Sequence, residues 1–213
     1  SNLITTIAYQ FEGKASYALE GSIFQVGTVI DWLKDNMNFI KDYKDLDALI
    51  KNSNDLNELV FIPAFTGLGA PYWNAQCRGA IFGLQRDTNF NDIAKAALQS
   101  IAFQARDLFN AMITDYTNQS IKTLKVDGGV SQNNWVMQNL SDQIGISVER
   151  LSNIEASSVG VAFLTGLSLG YFSNLNDLEK ILQKDRIFNP SSDRIVSDID
   201  YSIWKKAVNK LIS

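Results

Sequence analysis

The spacing of apolar positions changes several times along the chain, and each change predicts an element. Leu3 to Tyr9 is a run of β-branched and aromatic residues, and Ala15 to Leu19 is a second. Gln10-Phe11-Glu12-Gly13-Lys14 supplies the turn between them, so the opening reads as a β-hairpin. Ile23, Val26, Ile30 and Leu33 then recur at helical spacing, with Ser22 placed to cap the helix. From Asn36 to Glu58 the chain is rich in Asn, Asp and Lys. This reads as a surface excursion with one short helix at Leu46 to Lys51. Leu59 to Ile62 forms a short buried strand ended by Pro63, and Gly79 to Leu84 forms another.

The second half alternates more regularly. A long helix starts at Asn91 or Asp92 and runs to about Tyr116, with Ile93, Ala97, Ile101, Ala105 and Leu108 along one face. Ile121 to Val126 is a strand, Asn133 to Ile144 a helix, and Ser147 to Arg150 a strand. A helix from about Ser157 to Phe172, a short one near Leu178 and a last one from Tyr201 to Ile212 complete the pattern. Strands alternating with helices predict an α/β fold whose mixed sheet starts from the hairpin. Because Leu3 enters its strand with almost nothing before it, a sheet neighbour is expected upstream.

Composition narrows the chemistry. The 213 residues, 46% of them hydrophobic, suffice for a sizeable core, and 20% charged residues argue against wholesale disorder. The 19 Lys and Arg are scattered and the net charge is -4, so a nucleic-acid partner is not expected. Histidine is absent, which removes Ser-His-Asp and Cys-His catalysis and every His-ligated metal. Cys77 is the only cysteine; it reads as a small core filler in a reducing, cytoplasmic protein, with no internal disulfide. Ala156 to Phe172 is the most apolar stretch, but four Ser/Thr and three Gly interrupt it. It falls short of the roughly 20 apolar residues of a membrane span and reads as a buried helix.

Two segments carry candidate chemistry. Val126-Asp127-Gly128-Gly129 ends a strand in two residues without side chains, just ahead of a helix start. Bare amides there, reinforced by the helix dipole, suit a flat or anionic ligand; the alternative is an ordinary tight turn. Asn133 can hydrogen-bond a base or ribose through either end of its amide. No Walker A or GxGxxG pattern accompanies them. Phe65-Thr66-Gly67-Leu68-Gly69-Ala70-Pro71-Tyr72-Trp73 joins small residues to two rings, which serve either as ligand anchors or as plugs into the core. Gly79 and Gly83 frame a strand that another backbone passes closely. The small residues of Glu155 to Ala162 suit tight helix-sheet packing rather than a serine nucleophile, which would have no base.

These segments resemble the C-terminal half of the FGGY carbohydrate kinases, in the branch that phosphorylates glycerol. The resemblance covers essentially all of the chain. It rests on Tyr17 to Gly21, Pro63 to Trp73, Gly79 through Gln99, Asp127-Gly128-Gly129 and Trp204 to Val208. It implies an actin-like ATPase (RNase H-like) domain, a mixed β-sheet flanked by helices, with residues 1–213 forming the nucleotide-binding domain. The implied reaction is transfer from MgATP to glycerol, giving glycerol 3-phosphate. ATP contacts fall by motif position on Gly27, Gly129 and Asn133. A fourth contact, usually Gln, falls on Asp31, which accepts but cannot donate when ionised. The catalytic base, the polyol-binding residues and a Thr-Gly phosphate loop are expected outside this chain, so it is expected to hold nucleotide weakly and to transfer nothing alone. The resemblance further implies a cytoplasmic homo-oligomer at full length. Alternatives are another FGGY kinase acting on a pentulose or gluconate, and a non-catalytic nucleotide-binding module.

Overall fold

The two turn residues with positive φ, Glu12 at 48° and Gly13 at 76°, set the first element of the computed structural model. They close β1 (Ile4–Phe11) on β2 (Lys14–Glu20) in an antiparallel ladder from Ile4↔Glu20 to Phe11↔Lys14, with a bulge between Ile7 and Tyr9. The structure describes residues 3–54, 58–115, 121–152, 155–174, 183–191 and 193–213. Among them, the hairpin pairs only with itself and is not the start of the larger sheet. Ile4, Ile7 and Tyr17 are exposed on it.

The next helix starts later than the apolar spacing predicts. α1 is Gly27–Asp31, and it widens into a π-type turn over Trp32–Asn36. Ser22 caps nothing there, because the helix starts at Gly27 with Val26 at the cap position and no side-chain cap; the Ser22 carbonyl instead accepts from Ala70 N at 2.9 Å. That tertiary hydrogen bond holds the strand exit against the 65–73 loop, so closely that a Cβ on Gly69 would lie 2.1 Å from Ser22 O. The polar segment that follows is no mere excursion. Its helix α2 (Leu46–Lys51) has the predicted bounds, but Ile40, Leu46 and Leu49 are buried in the main core.

Short strands β3 (Val60–Ile62) and β4 (Ala80–Phe82) pair antiparallel. The glycines around β4 are closely approached: a Cβ on Gly83 would lie 2.0 Å from Glu58 O, and one on Gly79 3.2 Å from Ile62 O. α3 (Phe90–Asp115) is the central helix, packed on α2, β3 and α4 (Asn134–Ile144). Its start is locked reciprocally: Asn89 Oδ1 accepts from Asn91 N, and Asp92 Oδ2 accepts from Asn89 N at 2.9 Å. β5 (Thr123–Val126) runs parallel to β6 (Ser147–Leu151), and β7 (Lys184–Phe188) runs antiparallel to β6, which makes this sheet mixed. Strand β7 has no alternating pattern, since only Phe188 of its five residues is buried, and it escapes sequence reading.

Two helices depart from expectation. α5 (Ala156–Ser168) was predicted to be buried, yet only Gly166 is, and Val161 and Leu169 are 66% and 69% exposed. Gly160 has open space where its Cβ would be, whereas one on Gly166 would lie 2.4 Å from the Phe172 ring, so close packing is found at the end of the helix and not at its small-residue start. Apolar content marks a surface to be covered without choosing what covers it. α6 (Arg194–Ile212) begins well before Tyr201, capped by Asp193, whose carboxylate accepts from Ile195 N. Its first turns face outward with Ile195, Val196 and Ile199 exposed, which hides the helical period. The helix expected near Leu178 lies outside the described residues. One apolar cluster gathers α1 to α4 with Val148 and Phe188; a second joins β3, the 65–73 loop and Phe103 to Trp204, Ala207 and Val208 of α6.

Candidate functional site

After β5 the backbone turns at Gly128, with φ 82° and ψ 172°, a conformation open to glycine. One 3-10 turn over Gly129–Gln132 follows, and Asn133 then caps α4 by accepting from Val136 N at 2.9 Å. Ser131 Oγ donates back to Gly128 O at 2.7 Å. Arg150, reaching over from β6, braces the loop from behind. It donates to Ser131 O at 2.8 Å, Gln132 O at 3.1 Å and Asn134 Oδ1 at 3.1 Å, and pairs with Asp185 at 2.6 Å. A rigid turn is thus presented ahead of an eleven-residue helix, where the dipole favours negative charge.

This loop forms one wall of a cleft of ≈ 640 Å³. Gly27 and Ile30 of α1 form its floor, and the 42–47 segment forms the facing wall with Tyr43, Lys44 and Asp47. A Cβ on Gly27 or on Gly129 would meet open space, so main chain is bare at both positions. The two walls are tied together where Asn133 Nδ2 donates to Asp47 Oδ1 at 3.3 Å. Three of the four predicted positions, Gly27, Gly129 and Asn133, therefore meet in one cleft. Asn133 is less free than its sequence implies, since both ends of its amide already have partners.

Asp31 does not line the cleft; its carboxylate accepts the hydroxyl of Tyr43, which does. That hydrogen bond, with some burial and the nearby charges of Asp31 and Asp35, raises the Tyr43 pKa. Sequence reasoning missed Tyr43, Lys44 and Asp47, because a lone ring within a polar segment carries no periodic signal. The wall bearing them is stiff: Asp42 Oδ1 accepts from Lys44 N, and Asp45 Oδ2 accepts from the backbone N–H groups of Lys41 and Asp42.

The aromatic loop serves the core rather than this cleft. Tyr72 donates to the buried carboxylate of Asp107 at 2.7 Å and accepts from Lys205 Nζ at 2.6 Å. Trp73 is partly exposed and meets Phe24 edge-on at 6.3 Å. Cys77 is buried, its thiol turned to Asn74 O at 3.4 Å. Among the described residues, no three His, Cys, Asp or Glu gather as metal ligands, and no helix is long and apolar enough to cross a membrane.

A family model described as "FGGY family of carbohydrate kinases, C-terminal domain" matches residues 3–169. The chain belongs to the FGGY carbohydrate kinases. Glycerol kinases of Streptococcus pneumoniae, among them those of strains CGSP14 and G54, are 45% identical over 208 residues. That alignment takes in 98% of this chain and 41% of theirs, so the chain spans about two fifths of the length of these FGGY relatives. In structure it is similar to Plasmodium falciparum glycerol kinase crystallised with ADP. The TM-score is 0.89 at 33% identity, covering 99% of this chain and 42% of that one. A xylulose kinase from Lactobacillus acidophilus matches with TM-score 0.85 at 19% identity, covering 99% and 42%, which is likeness of fold alone. The domain accordingly has the actin-like ATPase fold of the FGGY kinases.

Proposed function

We propose that this chain is the nucleotide-side domain of an ATP-dependent glycerol kinase, which converts glycerol to glycerol 3-phosphate. The observation that carries the reading is the convergence of bare main chain at Gly27 and Gly129 with the Asn133 helix start on one cleft. Adenosine lies against those glycines, and the start of α4 faces the phosphates with amides and dipole. Glycerol is favoured over a pentulose or gluconate because the relatives at 45% and 33% identity are glycerol kinases, one of them crystallised with ADP.

Phosphoryl transfer requires alignment, charge neutralisation and a base for the attacking hydroxyl. Magnesium enters with the nucleotide, held through phosphate oxygens rather than a dedicated protein cage. The base and the polyol-binding groups belong to a separate domain of a full-length cytoplasmic enzyme that works as a homo-oligomer. Domain closure then excludes water from the bound phosphates. The isolated chain binds ADP weakly and has no glycerol-dependent turnover.

The test pairs equilibrium ADP binding on this chain with a coupled ADP-release assay. Gly129→Val projects a branched side chain into the cleft from a backbone whose φ is not positive, so it preserves the fold. It weakens ADP binding by about tenfold or more, the cost of excluding a purine from its surface. Unchanged affinity would remove the cleft from consideration, and turnover by the chain alone would refute the division of labour. Rates of the full-length kinase on glycerol, xylulose and gluconate decide the acceptor.

A further inference from the structure

Among the described residues that line the cleft, Tyr43 supplies the one aromatic ring, and it is held at more than one point. Its backbone opens a 3-10 turn, Tyr43–Asp45, closed by a capping box between Asp42 and Asp45. Its hydroxyl donates to Asp31 at the far end of α1. Lys34 Nζ lies 5.8 Å from the ring centroid, within cation–π range. The ring is thus fixed at its backbone and at its hydroxyl, yet 47% of the residue remains open to solvent. An aromatic ring that is pinned while about half of the residue stays open is preorganised for a flat ligand, since ordering it on binding costs little further entropy.

The rest of the lining explains which ligand fits. Gly27 and Gly129 leave main chain without side chains, and the apolar contributions of Ile30, Leu46 and Val130 are aliphatic. A purine resting on the glycines has one face toward this side of the cleft, and an aromatic ring is the group there with matching shape. Asp31 is meanwhile committed. As a carboxylate it has no hydrogen to donate to a base, and one of its oxygens already accepts the tyrosine hydroxyl.

We propose that Tyr43 is the base-recognition residue of this cleft, and that Asp31 is a positioning residue that acts through the Tyr43 hydroxyl rather than by touching nucleotide. The inference rests on the cleft binding ADP as proposed above. It assigns recognition of the base to the 42–47 wall and the glycines, and leaves phosphate recognition to the start of α4.

ADP binding by the full chain, measured by isothermal titration calorimetry, separates the possibilities, with far-UV circular dichroism confirming that each variant is folded. Tyr43→Ala weakens binding by about tenfold or more, the loss of one stacked base. Tyr43→Phe keeps the ring and loses only its anchor, so it costs about threefold, the low end of what one hydrogen bond contributes net. Asp31→Asn retains an acceptor oxygen and stays within about twofold of the unsubstituted chain, whereas Asp31→Ala matches Tyr43→Phe. In the double variant Asp31→Ala/Tyr43→Phe the two losses do not add, because both remove the same bond. Unchanged affinity in Tyr43→Ala, with binding still lost in Gly129→Val, overturns this inference and leaves the cleft standing. Unchanged affinity in both variants, or no ADP binding by the unsubstituted chain, overturns the cleft as well. Equal losses in Asp31→Asn and Asp31→Ala overturn the positioning role.

Discussion

Asp107 sits in α3 with only 1% of its side chain exposed, and every lone-pair direction of its carboxylate is occupied. Oδ2 accepts from the Tyr72 hydroxyl and from Trp204 Nε1, both at 2.7 Å. Oδ1 accepts from the Tyr201 hydroxyl at 2.5 Å and from Lys205 Nζ at 3.1 Å. One side chain thereby ties the 65–73 loop, the central helix and α6 into a single buried knot. Asp107→Asn preserves volume and shape but turns one oxygen into a donor that faces two other donors. Two hydrogen bonds to a charged acceptor are lost, at about 1.5–3 kcal/mol each. Rotation of Lys205 toward solvent, where 36% of its side chain already lies, returns a part of this. The net cost is about 3–5 kcal/mol, in the range found when one partner of a buried charge network is removed. For a chain of this size, each kcal/mol lowers Tm by about 2–4 °C, so the expected drop is roughly 6–20 °C. Thermal melts followed by circular dichroism measure it, with Tyr201→Phe as a control that removes a single donor to the same carboxylate at about 1.5–3 kcal/mol. An Asp107→Asn chain melting within about 2 °C of the unsubstituted one would refute the reasoning, because that shift is no larger than a surface substitution gives.

The same knot makes the fold sensitive to alkali. Burial, then the charge of Asp107, raises the pKa of the Tyr72 and Tyr201 hydroxyls above that of free tyrosine. Their stabilisation is therefore complete below about pH 10, where unfolded tyrosine is protonated, and is lost as pH rises beyond it. Tm measured across the alkaline range should fall above about pH 10, and less steeply in a Tyr72→Phe/Tyr201→Phe double variant. Arg150→Ala removes the brace behind the glycine turn and should cost about 1–2 kcal/mol in urea unfolding. ADP affinity should drop with it, because Gly129 loses its fixed position; full-strength ADP binding in a destabilised Arg150→Ala chain would detach the brace from the site.

Much of this arrangement is legible locally. The Glu12-Gly13 turn, the Asn133 cap ahead of α4 and the paired glycines after β5 are set by residue types whose backbone preferences allow few alternatives. The long apolar face of α3 needs no partner to be recognised, since its period declares it. Less legible were elements whose apolar residues face outward. β7 buries one residue in five, and the first turns of α6 expose Ile195, Val196 and Ile199, so neither leaves the periodic trace that pattern reading depends on. In α5 the failure ran the other way: the apolar run was plain, but Val161 and Leu169 remain exposed.

The candidate site divides along the same line. By itself the sequence determined that a glycine-rich turn meets a helix start and that the chain holds no histidine, and its resemblance to the family named Gly27, Gly129 and Asn133 as nucleotide contacts. Only the tertiary structure brought the 42–47 wall across from that turn, joined Asp47 to Asn133, and gave Asp31 to Tyr43 instead of to the open cleft. The reason is physical. A turn or cap is decided by interactions a few residues apart, whereas the partner of a polar side chain 12 or 86 residues away is decided by how the helices between them pack.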